Sequence, residues 1–248
     1  MYRVAADPAG QLISPFHGTT VHGRQRLGES RPEPLTYYHR DSPVADVLRS
    51  RTAGKTASIG AVGPRVGSPA AYVQAGQHWT FYEIDPTARD TRYFTFLSAC
   101  GAPCNVVIGD ARLSLENRSA RYGVLVLDRF QFRRHPSSSD DSRGDLNLLI
   151  AARARWRDGV PRVEQSHPTP SCVGAIRSHP PACGACPIDQ VSQETDGRSS
   201  SDWVVLARGE AALGTLSTDS RWQPLAADSN PVWTDDFSNI WSAIEWRR

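Results

Sequence analysis

The chain has 248 residues, enough for one large domain or two small ones, and 39% of them are hydrophobic, as is ordinary for a soluble globular protein. Its 28 lysine and arginine residues nearly balance its 26 aspartate and glutamate residues, so the net charge is only +2. This balance gives no electrostatic reason to expect a nucleic acid or an anionic membrane surface as a partner, and we expect neither.

The sequence has no feature of a membrane or secreted protein. No stretch approaches the roughly 18 consecutive apolar residues of a transmembrane helix. The first residues, Met1 to Val4, do not begin an apolar signal region. We therefore expect a cytoplasmic protein.

The cysteines favour neither a disulfide framework nor a zinc site. An odd number of five, without a secretion signal, argues against a framework of disulfides. Cys183 and Cys186 are close enough in sequence to form one ligand pair, but a second tight pair is missing. We therefore expect no bound metal.

Residues 1–40 predict a small N-terminal β region. Leu12 to Thr20 and Val21 to Gly23 have the pattern of a β-hairpin. After a connection rich in proline and arginine, Pro43 to Leu48 predicts a short helix with Ser42 as its N-cap. The second unit of the chain therefore begins near this helix.

Four apolar runs between residues 41 and 128 predict the strands of a parallel sheet. Each run ends in a polar residue or a glycine, and longer segments separate them, which is typical of strands buried on both faces. The predicted strands are Thr56 to Val62, His78 to Asp85, Val106 to Ile108 and Tyr122 to Leu127. We interpret residues 41–128 as the Rossmann-like, nucleoside-binding half of an α/β domain.

The character of the chain changes after Asp128. Residues 129–195 are rich in proline, serine, arginine and cysteine, and neither a strand nor a convincing helix is predicted after Ile150. We interpret this stretch as irregular and disordered, although a structureless loop of that length is uncommon inside a compact domain.

Order returns in residues 196–248, which are expected to complete the sheet. Ser201 to Arg208 predicts a clear strand, because apolar side chains dominate it and several are β-branched or aromatic. Two further short segments, Arg221 to Leu225 and Pro231 to Asp236, follow it.

The ends of the four predicted parallel strands carry residues suited to a nucleoside. In open α/β sheets the ligand binds beyond the carboxyl ends of the strands, next to a glycine turn that lets the backbone approach it closely. Gly63 follows the first strand, and Glu83 lies about 20 residues later, the position of a carboxylate that binds a ribose. Asp110 follows the third strand and suits an adenine contact, whereas Asp128 at the fourth could face an amine substrate.

Several blocks of the sequence resemble the bacterial spermidine-synthase-like family, which are polyamine aminopropyltransferases. The EIDP, GDAR and LVLD sequences occur in order and at domain-like spacing, which makes them specific together. The resemblance covers residues 1–128 and about 196–248. The blocks are Gly18 to Gly23 (GTTVHG), Pro34 to Arg40 (PLTYYHR), His78 to Pro86 (HWTFYEIDP), Arg92 to Leu97 (RYFTFL), Val107 to Leu115 (VIGDARLSL) and Leu125 to Asp128 (LVLD).

The resemblance implies a class I S-adenosylmethionine-methyltransferase-like fold and a transferase of polyamine biosynthesis. In this family an aminopropyl group moves from decarboxylated S-adenosylmethionine, a co-substrate, to putrescine or a related amine, and no cofactor stays bound. The implied partners are therefore a small-molecule amine and the adenosyl co-substrate. A homodimer, which many relatives form, is also expected.

The resemblance also assigns roles to individual residues. Glu83 binds the ribose hydroxyls and Asp110 binds the adenine amino group. Asp128 orients and deprotonates the attacking amine. Gly63 and Gly67 belong to the loop that is expected to bind the nucleoside, and Tyr38 and His39 are expected to line the amine side.

The glycine loop departs from the family pattern. Relatives read G-L-G-T-G-S-L where this chain reads Gly63 to Pro69 (GPRVGSP). Arg65 puts a large side chain where the backbone should approach the ligand, and Pro69 removes an amide donor near the following helix start. We expect both changes to weaken nucleoside binding. The chain is also shorter than its relatives after Pro86, so we expect the helix after the second strand to be cut short.

The sequence after Asp128 departs from the family altogether. Relatives continue with a second carboxylate and a gate loop, whereas this chain reads Arg129 to Pro136 (RFQFRRHP). With the frame displaced by one base and permitted codon choices, residues 129–145 can be read as the family's gate loop, and residues 152–165 as its next helix end and fifth strand. We therefore interpret the chain as a degenerate copy, translated out of frame from residue 129 to about 190. We expect this stretch not to form the lost strand, which would leave an inner edge of the sheet exposed.

The expected function is therefore an aminopropyltransferase that is impaired or inactive. A second hypothesis, an S-adenosylmethionine-dependent methyltransferase, is compatible with the same fold. A third is a non-catalytic nucleoside-binding or interaction protein that has kept the sheet and lost the chemistry. Simpler roles also stay open, because Asp110 could be a helix N-cap and His39 a surface residue.

Overall fold

The computed structural model describes nine parts of the chain: residues 3–17, 20–52, 57–117, 122–128, 162–165, 183–185, 197–199, 203–206 and 213–224. The predicted segment from Pro231 to Asp236, the cysteine Cys186 and most of residues 129–195 lie outside these parts. Among the described residues, no helix is both long and apolar enough to cross a bilayer.

The N-terminal residues form a small antiparallel sheet, as the hairpin pattern predicts. The turn into the long second strand is fixed by Asp7, whose Oδ1 accepts hydrogen bonds from the N–H groups of Gln11 (2.7 Å) and Leu12 (2.8 Å). The second strand pairs with all three others. The strands are β1 (Arg3–Ala6), β2 (Leu12–His17), β3 (Thr20–Val21) and β4 (Gln25–Arg26).

A second, eight-stranded sheet forms the body of the protein. Its strands are β5 (Ser58–Val62), β6 (His78–Glu83), β7 (Cys104–Ile108), β8 (Val124–Asp128), β9 (Arg162–Gln165), β10 (Cys183–Ala185), β11 (Trp203–Leu206) and β12 (Gln223–Pro224). They lie in the order β12-β10-β11-β9-β8-β5-β6-β7. The five strands β9, β8, β5, β6 and β7 are parallel to one another. β11 pairs antiparallel with β9, and β10 pairs antiparallel with both β11 and β12.

The order of the parallel strands places a crevice between β5 and β8. The chain runs outwards from β5 through β6 to β7, then returns to the other side of β5 with β8, so the direction of winding reverses there. In open α/β sheets ligands bind at such a reversal, beyond the carboxyl ends of the strands. All four strand predictions between residues 41 and 128 are confirmed in position and direction.

Short helices connect these strands. Helix α1 (Pro43–Thr52) precedes β5, and helix α2 (Ala111–Asn117) follows β7. The connection after β5 contains a 3₁₀ helix, Ser68–Tyr72, and the connection after β6 contains only a 3₁₀ turn, Pro86–Arg89. The expected shortening of the helix after the second strand is therefore confirmed.

The structure corrects our expectation for the middle of the chain. β9 pairs parallel with β8 and antiparallel with β11, and β10 lies between β11 and β12. The predictions that no strand follows Ile150 and that an inner sheet edge is exposed are therefore wrong. β9 reads RVEQ and has a single apolar residue. It forms because ladder hydrogen bonds use backbone groups, and both of its neighbours offer them.

Apolar side chains cover both faces of the main sheet. Successive residues of a strand point to opposite faces, so β8 supplies Val124 and Val126 to one cluster and Leu125 and Leu127 to the other. The larger cluster also contains α1 and the indole of Trp203, which is fully buried on β11. The predicted C-terminal strand is therefore an integral part of the core.

Cys100 and Cys104 form a disulfide at the entry to β7. Their Cα atoms are 6.4 Å apart, within the range that a disulfide requires. The odd cysteine count argued against disulfides, so this bridge corrects that expectation for one pair. Because the bridge joins residues only four apart, it closes a small loop, for which the expected entropic stabilisation is small.

Candidate functional site

Glu83 ends β6 as a nearly buried carboxyl group, with 5% of its surface exposed. Its Oε1 accepts a hydrogen bond from the backbone N–H of Arg65. Burial raises the pKa of Glu83 to about 8, against the lowering effect of the Arg65 N–H and guanidinium. The nearby charges of Asp128 and Asp85 add to the increase. Glu83 therefore exchanges its proton near neutral pH.

Asp128 ends β8 and is also nearly buried, with 6% of its surface exposed. Its Oδ2 accepts hydrogen bonds from the phenol groups of Tyr38 (2.9 Å) and Tyr37 (3.2 Å). Burial raises the pKa of Asp128 to about 7, although both hydrogen bonds and the charge of Arg65 lower it. Asp128 is thus a carboxyl group that can take up or release a proton close to neutral pH.

The two tyrosines are fixed neutral donors to Asp128. Burial raises the pKa of each phenol well above its ordinary value, and the negative charge of Asp128 adds to this effect. Their rings pack together with centroids 5.0 Å apart, and Tyr38 also packs against Trp203 at 5.8 Å. Both phenols bind Oδ2, so this oxygen of Asp128 is held in place by two hydrogen bonds.

The loop after β5 approaches the site with its backbone in left-handed conformations. Gly63 has φ 74°, and a Cβ there would lie 2.7 Å from the backbone oxygen of Asp128. Gly67 has φ 81°, and a Cβ there would meet the side chain of Leu97 at 2.8 Å. Glycine is therefore required at both positions. Arg65 has φ 47°, a conformation that a residue with a side chain rarely adopts.

Arg65 brings a positive charge to the two carboxyl groups. Its side chain is half-buried, and its Nε atom is buried. Burial lowers the pKa of the guanidinium, against the opposing effect of Glu83, Asp128 and Asp85, in that order. The loop, both strand ends and the tyrosines therefore form one acidic cluster that includes the guanidinium of Arg65. We refer to this cluster as the acidic cleft.

Comparisons with known proteins bear on the fold. No protein-family model matches the sequence, and no curated protein matches it. Among solved structures, the chain is similar to a probable spermidine synthase from Corynebacterium glutamicum, at 12% identity and a TM-score of 0.58 over 91% of this chain and 87% of that one. It is also similar to a spermidine synthase in complex with the transition state analogue AdoDATO, at 10% identity and a TM-score of 0.57 over 84% of this chain and 70% of that one. The chain has the spermidine synthase fold.

This fold is the one that the sequence predicts: a Rossmann-like sheet of the class I S-adenosylmethionine-methyltransferase type with a small N-terminal β-hairpin region. Within it, the structure brings four of the predicted site residues together. Gly63 and Glu83 flank the loop of Arg65, and Asp128 with Tyr38 closes the other side. The strand ends that these residues occupy are adjacent in the sheet.

The other predicted residues lie around this centre. Asp110 follows β7, where it is exposed, and its Oδ1 accepts a hydrogen bond from the N–H of Leu113 at 3.2 Å. It therefore caps helix α2, while it also stands at the rim next to Glu83. His39 has 2% of its surface exposed, so its placement on the surface is excluded. Its backbone N–H donates to the carbonyl oxygen of Thr36.

Sequence reasoning did not include Tyr37 in the site. The signal was present, because Tyr37 adjoins Tyr38 in the PLTYYHR block. The resemblance assigned only Tyr38 and His39 of this block to the amine side. Here the chain turns after Leu35, whose carbonyl oxygen accepts the Tyr38 N–H, and both phenols reach the same carboxylate.

Proposed function

We propose that the chain is a spermidine-synthase-like aminopropyltransferase whose cleft is impaired by Arg65. The observation that carries this proposal is the Asp128 carboxyl group, buried at a strand end and bound by two phenols. Its pKa of about 7 suits a proton acceptor for an amine. The similar spermidine synthase bound to AdoDATO supports a small adenosyl ligand in the same fold.

The proposed reaction is a displacement at a carbon next to a sulfonium. The amine of putrescine, or of a related acceptor, must first lose its extra proton, which passes to Asp128. The nitrogen lone pair then forms a bond to the methylene carbon of the aminopropyl group that is bonded to sulfur. The carbon–sulfur bond breaks, and its electron pair stays on sulfur, which leaves a neutral thioether nucleoside. The product keeps its charge as a secondary ammonium, and Asp128 returns the proton that it took from the amine to solvent.

One side of the cleft would bind the nucleoside, and the other side would bind the amine. Glu83 would bind the ribose hydroxyls, since a carboxylate at the second strand end is placed for that role. Asp110 at the rim would bind the adenine amino group. Tyr38 and Tyr37 would hold Oδ2 of Asp128, so that its other oxygen meets the amine. Holding both reactants in line supplies most of the rate increase in such a reaction.

Two features of the loop support impairment. The Glu83 carboxyl group is already engaged by the backbone N–H of residue 65, so a ribose would have to compete with that hydrogen bond. Arg65 also places a cation in the cleft, where a sulfonium would have to enter. The first feature belongs to the backbone, which a glycine would share, whereas the second comes from a side chain at the position where the family pattern has glycine.

A turnover assay tests the proposal. The chain is incubated with decarboxylated S-adenosylmethionine and putrescine, and spermidine is measured by chromatography. We expect slow product formation, a gain on the order of tenfold in Arg65→Gly, equivalent to about 1.4 kcal/mol, and a loss of at least about 100-fold when Asp128→Asn is added to that variant. Glycine also relieves the left-handed conformation at this position, so the variant should fold.

The same assay separates the competing functions. Transfer of a methyl group from S-adenosylmethionine, with no spermidine formed, would favour the methyltransferase hypothesis. Tight binding of methylthioadenosine without turnover in Arg65→Gly would favour a non-catalytic nucleoside-binding protein. Equal spermidine formation by the Asp128→Asn variant and its parent would contradict the role of Asp128.

A further inference from the structure

We infer that Arg65 determines which charge the cleft accepts, so that a neutral adenosyl thioether binds in preference to an adenosyl sulfonium. The inference rests on the proposed function, because it takes the ligand to be adenosyl. It goes further by assigning a specificity to the cleft as it stands in this chain. Arg65 acts as a cation that the protein itself supplies to its acidic site.

The position of Arg65 is fixed from two directions. Its backbone N–H binds the Glu83 carboxyl group, and its neighbours Gly63 and Gly67 hold the loop against β8 and Leu97. The side chain is half-buried with Nε enclosed, so the guanidinium does not simply extend into solvent. The charge is therefore a lasting part of the cleft.

The electrostatic effect follows from the carboxyl groups around the guanidinium. Glu83 and Asp128 are nearly buried, and the charge of Arg65 acts on both. In their ionised forms these two carboxyl groups attract a cationic ligand. Arg65 already neutralises part of their negative charge and repels a second cation. Interactions between charges are stronger in a partly buried site and are less screened by salt than at the surface.

Two ligands isolate this effect. Methylthioadenosine has the adenosine part and a neutral thioether. Decarboxylated S-adenosylmethionine has the same adenosine part, a sulfonium and a terminal ammonium. Any contact with the ribose or adenine is common to both, so the ratio of their dissociation constants reports the charge that the cleft accepts.

The experiment is calorimetric titration of the full chain with each of these two ligands at pH 7.5. Three variants accompany the wild type: Arg65→Lys keeps the charge, Arg65→Met keeps most of the length without the charge, and Arg65→Gly removes both. We expect the wild type and Arg65→Lys to bind methylthioadenosine at least about tenfold more tightly than the cationic ligand. In Arg65→Met and Arg65→Gly that preference should be lost or reversed.

Three outcomes would overturn the inference. The first is an equal ratio in the wild type and in Arg65→Met, because charge would then have no effect. The second is a wild type that binds neither ligand while Arg65→Gly binds both and Arg65→Met binds neither, since that pattern shows obstruction by size. The third is a preference for the cationic ligand in the wild type. If no variant binds either ligand, the proposed function itself fails, which is a different result.

Discussion

The free energy of unfolding is expected to fall as the pH rises from about 4.5 to about 8. Glu83 and Asp128 have pKa values of about 8 and about 7, raised from ordinary values of 4.5 and 3.8. The folded protein therefore holds protons that the unfolded chain has already released. Stability from this effect is complete below the ordinary values and is lost as the pH passes the raised ones.

The expected size of this change is large for a single domain. Each unit of pKa difference corresponds to about 1.36 kcal/mol, so either carboxyl group contributes on the order of 4 kcal/mol over the whole range. Carboxyl groups with lowered pKa values, such as Asp85 and Asp219, have the opposite effect, but only near and below their ordinary value of 3.8. Urea unfolding at pH 5 and pH 8 measures the difference directly.

Two isosteric variants provide the control. Asn at position 128 and Gln at position 83 cannot titrate, so Asp128→Asn and Glu83→Gln should each reduce the pH dependence, and the double variant should remove most of it. An unchanged slope in the double variant would show that the two groups are not protonated differently in the folded and unfolded states. A rise in stability between pH 5 and pH 8 would contradict the buried cleft as described.

Replacement of Trp203 by alanine is expected to lower the free energy of unfolding by about 3–5 kcal/mol. The indole is fully buried on β11 and belongs to the larger apolar cluster. Its removal leaves a cavity between the sheet and Tyr38. The ring centroids of Tyr38 and Trp203 are 5.8 Å apart. This loss is a large part of the roughly 5–15 kcal/mol that stabilises a typical domain.

A surface aromatic residue gives the matched control for this variant. Tyr93 is 49% exposed, so Tyr93→Ala should change the free energy of unfolding by no more than about 0.5 kcal/mol. Chemical unfolding followed by circular dichroism measures both. If Trp203→Ala and Tyr93→Ala have equal, small effects, then β11 does not pack against the parallel strands, and the sheet ends at β8 or β9.

The parallel strands β5 to β8 were predictable because most of their residues are apolar. β8 is buried at every residue, so its sequence has no polar interruption until Asp128. The same rule located the site, since the first polar residue after a buried strand stands at the edge of the sheet. Glu83 and Asp128 both occupy this position, and both are confirmed as neighbours of one cleft by their shared interaction with Arg65.

The middle strands could not be predicted because their side chains do not carry the signal. β9 has one apolar residue among its four positions, and β10 contains a glycine between a cysteine and an alanine. Both form through backbone pairing with neighbours that are far away in sequence. The proposal that the stretch from residue 129 to about 190 is translated out of frame is therefore compatible with these strands. Comparison of independent gene sequences with those of intact relatives remains its test.

The chemistry of the cleft was only partly predictable. The family pattern assigned Tyr38 to the amine side, but the hydrogen bond of Tyr37 to the same oxygen depends on how the segment turns. Arg65 was expected to obstruct the loop by its size. The charge it adds beside Glu83 and Asp128 depends on the left-handed backbone at that residue, which sequence alone does not specify for arginine.

The most direct test of the acidic cleft as a nucleoside site is a crystal structure of Arg65→Gly with methylthioadenosine. We expect the ribose hydroxyls to bind the Glu83 carboxyl group, with the adenine near Asp110 and the sulfur directed towards Asp128. A nucleoside bound elsewhere on the protein would contradict this assignment. So would an unoccupied cleft at saturating ligand, with the amide of residue 65 still bound to Glu83.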